Sequence, residues 1–259
     1  MQLMRRAALN GVELDSLDDR ILIQGIDEAA GRDQVTAVPL GGAPGSRMTG
    51  KHRDWLDVTV RFTINEKSYS PGSRDEVMDK VKAWAEEGGV LTVNYKTGKQ
   101  LRVICFQQPA AGDLATRREY SIVFRAYGVP YWEDVTATTL TMNQDDEGAG
   151  TLTLGGSAAS VADVTVVNKS GGALQNVTVS VNETEMSFTG LNLANNGSLV
   201  VDHAEAGGIL YLRAMIGNDS VLGKRSGRDE LILKPGNNTI AYEASGDVIV
   251  TVSAKGRYS

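Results

Sequence analysis

The segment Arg125-Ala-Tyr-Gly-Val-Pro-Tyr-Trp-Glu-Asp134 constrains this chain most, because the residue pattern differs on its two sides. Proline fixes its own φ, donates no hydrogen bond and pushes the residue before it towards extended geometry, so Val129-Pro130 ends a strand. Up to Asp134 the chain holds one helical pattern, strands of mixed length, and 18 Lys+Arg against 19 Asp+Glu. Beyond it lie short Thr- and Val-rich strands, Gly/Asn turns, and 8 Lys+Arg against 13 Asp+Glu. The break predicts two domains, 1–134 and 135–259, each close to the usual ~100–150 residues. Tyr131 and Trp132, too large to leave in water without cause, are expected to pack between them.

Composition narrows the classes. A net charge of −6 gives no basis for nucleic-acid or anionic-membrane binding. Cys105 is the single cysteine, so neither an intrachain disulfide nor a cysteine-based metal cluster can form. It lies in the apolar run Leu101-Arg-Val-Ile-Cys-Phe106 and is expected to be a small core residue. The first ten residues hold no apolar run of signal-peptide length, and no stretch approaches the ~18 apolar residues of a membrane span. Synthesis in a cytoplasm, without membrane insertion, is the expectation.

In the first half, Arg20–Ile26 reads as a strand. The weakly patterned stretch from Asp27 to Arg53, rich in Gly and ending in Arg47, Lys51, His52 and Arg53, reads as a long loop. Loops of that length are functional or flexible, so this one is either solvated or a contact region carried by those four residues. Gly45-Ser-Arg-Met-Thr-Gly-Lys51 matches most of a phosphate-binding P-loop, but His52 stands where Ser or Thr should hold magnesium. A P-loop also runs into a helix, whereas Trp55–Ile64 has Leu56, Val58, Val60, Phe62 and Ile64 alternating as in a half-buried strand. Nucleotide binding is therefore set aside. Ser73-Arg-Asp-Glu76 reads as a capping box opening a helix with the core stripe Val77, Met78, Val81, Trp84 and Ala85, stopped by Gly88-Gly89. A hairpin, Val90–Tyr95 with Leu101–Phe106, and a strand, Arg118–Tyr127, complete the unit. One helix beside a mainly antiparallel sheet gives the α+β class.

After Val135 the strands shorten, from Ala137–Met142 through Ser198–Asp202 to Asp247–Val252, with Gly, Asn and Pro between them. That punctuation predicts an all-β sandwich. Here a resemblance enters. Leu233-Lys-Pro-Gly-Asn-Asn-Thr-Ile240, Gly246-Asp-Val-Ile-Val-Thr-Val252, the terminal Arg257-Tyr258 and the Ser198–Asp202 strand resemble the end of bacteriophage distal tail proteins. These are the Dit-type baseplate hubs of long, non-contractile, siphovirus-like tails. The order of elements in the first half is similar too. The resemblance implies an N-terminal domain built on an antiparallel sheet or split barrel with one helix, assembling into a ring, commonly a hexamer. It further implies a peripheral galectin-like or jelly-roll-like sandwich, a central channel for DNA, and a place in the virion tail. The tail tube protein, the tail-tip or tail-associated protein and a receptor-binding protein would be the partners, with no cofactor.

Two other classes compete with this one. A carbohydrate-binding or adhesin-like module needs exposed aromatics, and this half offers Trp132 at its border, Phe188, Tyr211, Tyr242 and Tyr258, most of them in strand patterns. An enzyme needs a catalytic cluster. His52 and His203 lie in different halves, no Ser sits in G-x-S-x-G and no His pair has metal spacing. Asp145-Asp-Glu147 and Asp229-Glu230 could hold calcium or act as paired carboxylates, but adjacent acids at Gly-flanked tips are ordinarily solvated turns. The expectation is no catalysis.

Overall fold

The computed structural model describes residues 5–31, 33–39, 46–65, 71–109, 119–143, 148–206 and 209–259; of 33–39, 46–52, 71–72, 205–206 and 209–210 it describes the backbone alone. Among the described residues the chain is mostly β-strand with a single α-helix. It divides into two compact units, Met1–Trp132 and Glu133–Ser259.

The first unit contains β1 (Ala7–Leu9), β2 (Val12–Glu13), β3 (Ile21–Ala30), β4 (Asp33–Pro39), β5 (Ser46–Arg53), β6 (Leu56–Ile64), α1 (Pro71–Ala85), β7 (Gly89–Val93), β8 (Lys99–Gln107) and β9 (Tyr120–Ala126). Its sheet runs β2-β1-β7-β8-β9-β6-β3, with antiparallel neighbours throughout. The alternation in β6 is realised in full: Leu56, Val58, Val60, Phe62 and Ile64 are buried and the residues between them are half-exposed. β9 faces it with Tyr120, Ile122, Phe124 and Ala126 buried, and the Phe62 and Tyr120 rings meet at 5.5 Å across the ladder. Two-residue hairpins favour turns with φ positive at both central residues. Asn10 (φ 52) and Gly11 (φ 81) supply that turn between β1 and β2.

β8 serves two neighbours with its successive halves. Leu101–Val103 pairs with β7, whereas Ile104, Cys105 and Gln107 pair with β9 across a register shift between Cys105 and Gln107. Such a shift bends a strand and increases its twist. The sheet thereby curves around the core, and Cys105 ends half-buried at the bend, where burial pushes its thiol up.

The helix buries Val77, Met78, Val81 and Ala85 against that core, side chains each worth roughly 1–3 kcal/mol when fully buried. Trp84 is half-buried, with its ring edge-on to Phe124 at 5.7 Å and its Nε1 donating to the Val12 carbonyl at 3.0 Å. The helix begins two residues before the capping box, at Pro71, whose fixed φ suits a first turn. Ser73 lies inside the helix, and its hydroxyl accepts from Arg20 Nη1 instead of capping. Gly88 (φ 67) stops the helix as expected, its N–H donating to Ala85 O at 3.1 Å.

The stretch read as a loop from Asp27 to Arg53 is largely strand. β3 continues to Ala30, and β4 and β5 form an antiparallel ribbon from Asp33↔Arg53 to Pro39↔Ser46 that pairs with no other described strand. The weak apolar pattern of these residues hid this, since strands are legible in sequence mainly through alternation. Lys51 therefore sits within a strand, which removes the strand-to-helix turn a P-loop needs.

β10 (Trp132–Asp134) runs through the division between the units. The second unit continues with β11 (Thr138–Met142), β12 (Ala149–Leu154), β13 (Ser160–Val161), β14 (Asp163–Asn168), β15 (Val177–Val181), β16 (Thr184–Phe188), β17 (Ser198–Ala206), β18 (Ile209–Ile216) and β19 (Asp219–Ser220). It ends with β20 (Arg225–Gly227), β21 (Ile232–Leu233), β22 (Gly236–Ala244), β23 (Val248–Ala254) and β24 (Arg257–Tyr258). One sheet runs β11-β23-β14-β17-β18-β19 and another β12-β22-β15-β16-β20. They enclose one apolar core, with Val164, Val166, Leu199, Val201, Val250 and Val252 on one side and Val177, Val179, Val181, Met186, Phe188 and Ile240 on the other. Asp134 N–H donates to Gly256 O at 3.0 Å and Arg257 pairs with Glu133 at 3.0 Å, so the two ends of this unit meet.

Candidate functional site

No described group of three or more His, Cys, Asp or Glu converges as a metal site would, and no described helix is long and apolar enough to cross a membrane. His203 Nδ1 lies 3.2 Å from Asp163 and its Nε2 3.8 Å from Glu230, with the two carboxylates at opposite nitrogens of one ring. Asp229 is paired with Arg225 at 2.6 Å. Asp145, Asp146 and Glu147 lie outside the described residues. The aromatics considered for sugar stacking are mostly occupied. Phe188 and Trp132 are buried, Tyr242 packs on the core and Tyr258 donates to Asp134, which leaves Tyr211 exposed.

The geometry concentrates at the β4–β5 ribbon and where it leaves the sheet. Arg47, Lys51 and His52 lie on β5, opposite Val38, Val35 and Gln34, and their side chains are outside the described residues. Arg53 closes the ribbon opposite Asp33, and its guanidinium carbon stands 4.8 Å from the Tyr131 ring centre. Just outside, Gly31 N–H donates to Trp55 O at 2.8 Å. The Trp55 indole lies so close to Gly31 that a Cβ there would be 2.7 Å from the ring.

Trp55 is in turn stacked on Arg125, whose guanidinium carbon is 5.0 Å from the Trp55 ring centre, 3.5 Å from Phe106 and 5.7 Å from Tyr127. Asp57, Arg125's register partner, accepts from Arg125 Nε at 2.5 Å and from its Nη2 at 2.6 Å. That bidentate hydrogen bond holds the guanidinium still more firmly in its charged form. Phe106, Tyr127 and Ile104 keep 45–49% of their surface exposed, so this cluster is a surface feature.

Tyr131 and Trp132, the pair expected between the domains, have contacts in the first unit. Trp132 is fully buried, donates from Nε1 to Glu28 Oε2 at 2.9 Å, and has Lys96 Nζ 5.2 Å from its ring centre. Glu28 also accepts from Tyr95 Oη at 2.9 Å and pairs with Lys96 at 3.2 Å. Sequence reasoning missed Trp55, Asp57, Phe106 and Arg125 as a group. Their signal was available only as opposite charges at positions that the ladder brings face to face.

No protein-family model matches this chain, and no curated protein matches it. Solved structures do. The SPP1 Dit protein, described as a paradigm of the hub adsorption apparatus in phages infecting Gram-positive bacteria, superposes with a TM-score of 0.68 at 12% identity. The match covers 97% of this chain and 98% of that one. The chain has the Dit fold. A chain of the phage p2 baseplate in its activated conformation also matches over 97% of this chain, at 6% identity and a TM-score of 0.47.

Proposed function

We propose that this Dit-fold chain is a structural protein of a phage tail, a distal baseplate hub, and not an enzyme. The observation that carries the reading is the end-to-end superposition on SPP1 Dit, which includes both units rather than one common module. Its place is the virion tail. The first unit assembles with further copies, commonly six, into a ring on the tail axis, and the galectin-like second unit stands outside it. The ring joins the tail tube to the tail-tip and receptor-binding parts and leaves a channel for DNA.

The β4–β5 ribbon, with Arg47, Lys51, His52 and Arg53, is the proposed assembly contact. A two-stranded ribbon is marginal in water by itself, and this one pairs with no third described strand of its own chain, so a neighbour would complete its burial. Deleting residues 41–50 is expected to abolish self-association while both units still melt cooperatively. Mass in solution with negative-stain imaging tests the whole reading: a ring with a central opening is expected, and a strict monomer at high concentration would overturn it.

A further inference from the structure

We infer that the arginine–aromatic cluster at the root of the β4–β5 ribbon is a clamp that sets the ribbon's direction. This rests on the reading of the ribbon as an assembly contact, but the clamp is argued from the first unit's own geometry.

Among the described residues, β4 and β5 pair with no strand of the sheet, and the ribbon joins it at its base. Two crossings make that base, one before β4 at Gly31 and one after β5 at Arg53 to Trp55, bridged by the Gly31–Trp55 hydrogen bond. A single backbone bridge leaves a ribbon free to swing about it. Each crossing carries an aromatic–guanidinium stack that opposes this motion. At the first, Trp55 is wedged between Gly31 and Arg125. Arg125 is held in place, because Asp57 accepts from its Nε and Nη2, Tyr127 Oη accepts from its Nη1 at 3.4 Å, and the Phe106 ring lies 3.5 Å from its guanidinium carbon. At the second, Arg53 lies over Tyr131. Arg53 Nε is buried with no hydrogen-bond partner among the described residues, and the Tyr131 ring face packs against that guanidinium.

The two rings come from places far apart in sequence, one beside the ribbon and the other past Pro130. Tyr131 thus links the ribbon's exit to the strand end that closes the first unit. Gly31 is part of the device: any side chain there would expel the Trp55 ring or break the bridge beneath it.

The test uses the full-length chain with Trp55→Ala, Tyr131→Ala and the double variant, and Trp55→Phe and Tyr131→Phe as ring-keeping controls. Limited trypsin digestion reads cleavage after Arg47 and Lys51 by fragment mass, beside the melting temperature and the mass in solution. Local opening governs such cleavage, and one partly desolvated cation–π contact corresponds to roughly fivefold in the opening equilibrium. The expected result is roughly fivefold faster ribbon cleavage for each alanine variant and more for the pair, with near-parent melting and near-parent cleavage for the phenylalanine controls. Unchanged ribbon cleavage in the double variant would overturn the clamp. Cleavage spread over the whole unit with melting lowered to match would overturn it too, since the rings would then be ordinary core. Assembly that survives deletion of residues 41–50 would instead defeat the proposed assembly contact and leave the clamp standing.

Discussion

Asp18 shows how single polar groups hold the first unit together. Its carboxylate, 7% exposed, accepts from Arg20 at 2.7 and 2.9 Å and from Lys80 on α1 at 3.1 Å. Those bonds, the Arg20 contact foremost, hold its pKa well below the ordinary value despite burial. A depressed folded pKa means the stabilisation is complete above the unfolded value, ~3.9, and is lost as pH falls through and below it. Asp18→Asn should therefore lower the melting temperature at neutral pH and flatten the acid limb of a stability–pH curve. An unchanged acid limb would show that Asp18 does not govern it.

Asn238 has the same standing in the second unit. It is fully buried, its Nδ2 donates to the Lys234 and Gly236 carbonyls at 2.8 and 3.0 Å, and its Oδ1 accepts from Lys234 N at 2.8 Å. Asn238→Ala orphans those backbone groups and should cost roughly 2–3 kcal/mol in denaturant unfolding. The sequence showed Asn238 only as part of a Pro-Gly turn, because a side chain that ties a turn from within leaves no periodic trace.

At the level of elements, patterns with one wet and one dry face were legible. β6, β9, the β7–β8 hairpin and the stripe of α1 follow the expected alternation because each presents one face to a core. The helix stop was legible for a different reason, the left-handed conformation only Gly adopts freely. Gly88→Ala should cost roughly 1–3 kcal/mol, from the positive φ and from a Cβ forced against the Val103 carbonyl, without changing the fold. A melting curve and an unchanged circular dichroism spectrum would check both halves of that statement. The helix start was misread because Ser73 had a better partner in Arg20, which lies 53 positions earlier. The β4–β5 ribbon was missed because its residues carry only a weak apolar pattern, and it pairs with no other described strand.

At the scale of the whole molecule, the division falls at Trp132–Glu133, and side-chain chemistry explains its position. Trp132 is spent on Glu28, while Glu133 and Asp134 are spent on Arg257, Gly256 and Tyr258. A fragment beginning at Glu133 should fold cooperatively and melt higher than one beginning at Val135, which lacks those ties. Equal melting temperatures would show that the two residues do not anchor the second unit. The 12% identity to SPP1 Dit fits this picture of a fold kept by pattern and pairing rather than by particular residues.

By itself the sequence determined where the pattern breaks, which strands alternate, where α1 lies and how it stops. These are local matters, decided by dihedral preference and by one apolar face. The tertiary structure decided the rest. It joined β8 to two neighbours, turned a Gly-rich stretch into a ribbon, and brought Arg125 to Asp57 and Trp55, and Arg53 to Tyr131. Those contacts depend on which strands become neighbours, and strand order is set by how the whole sheet closes over its core.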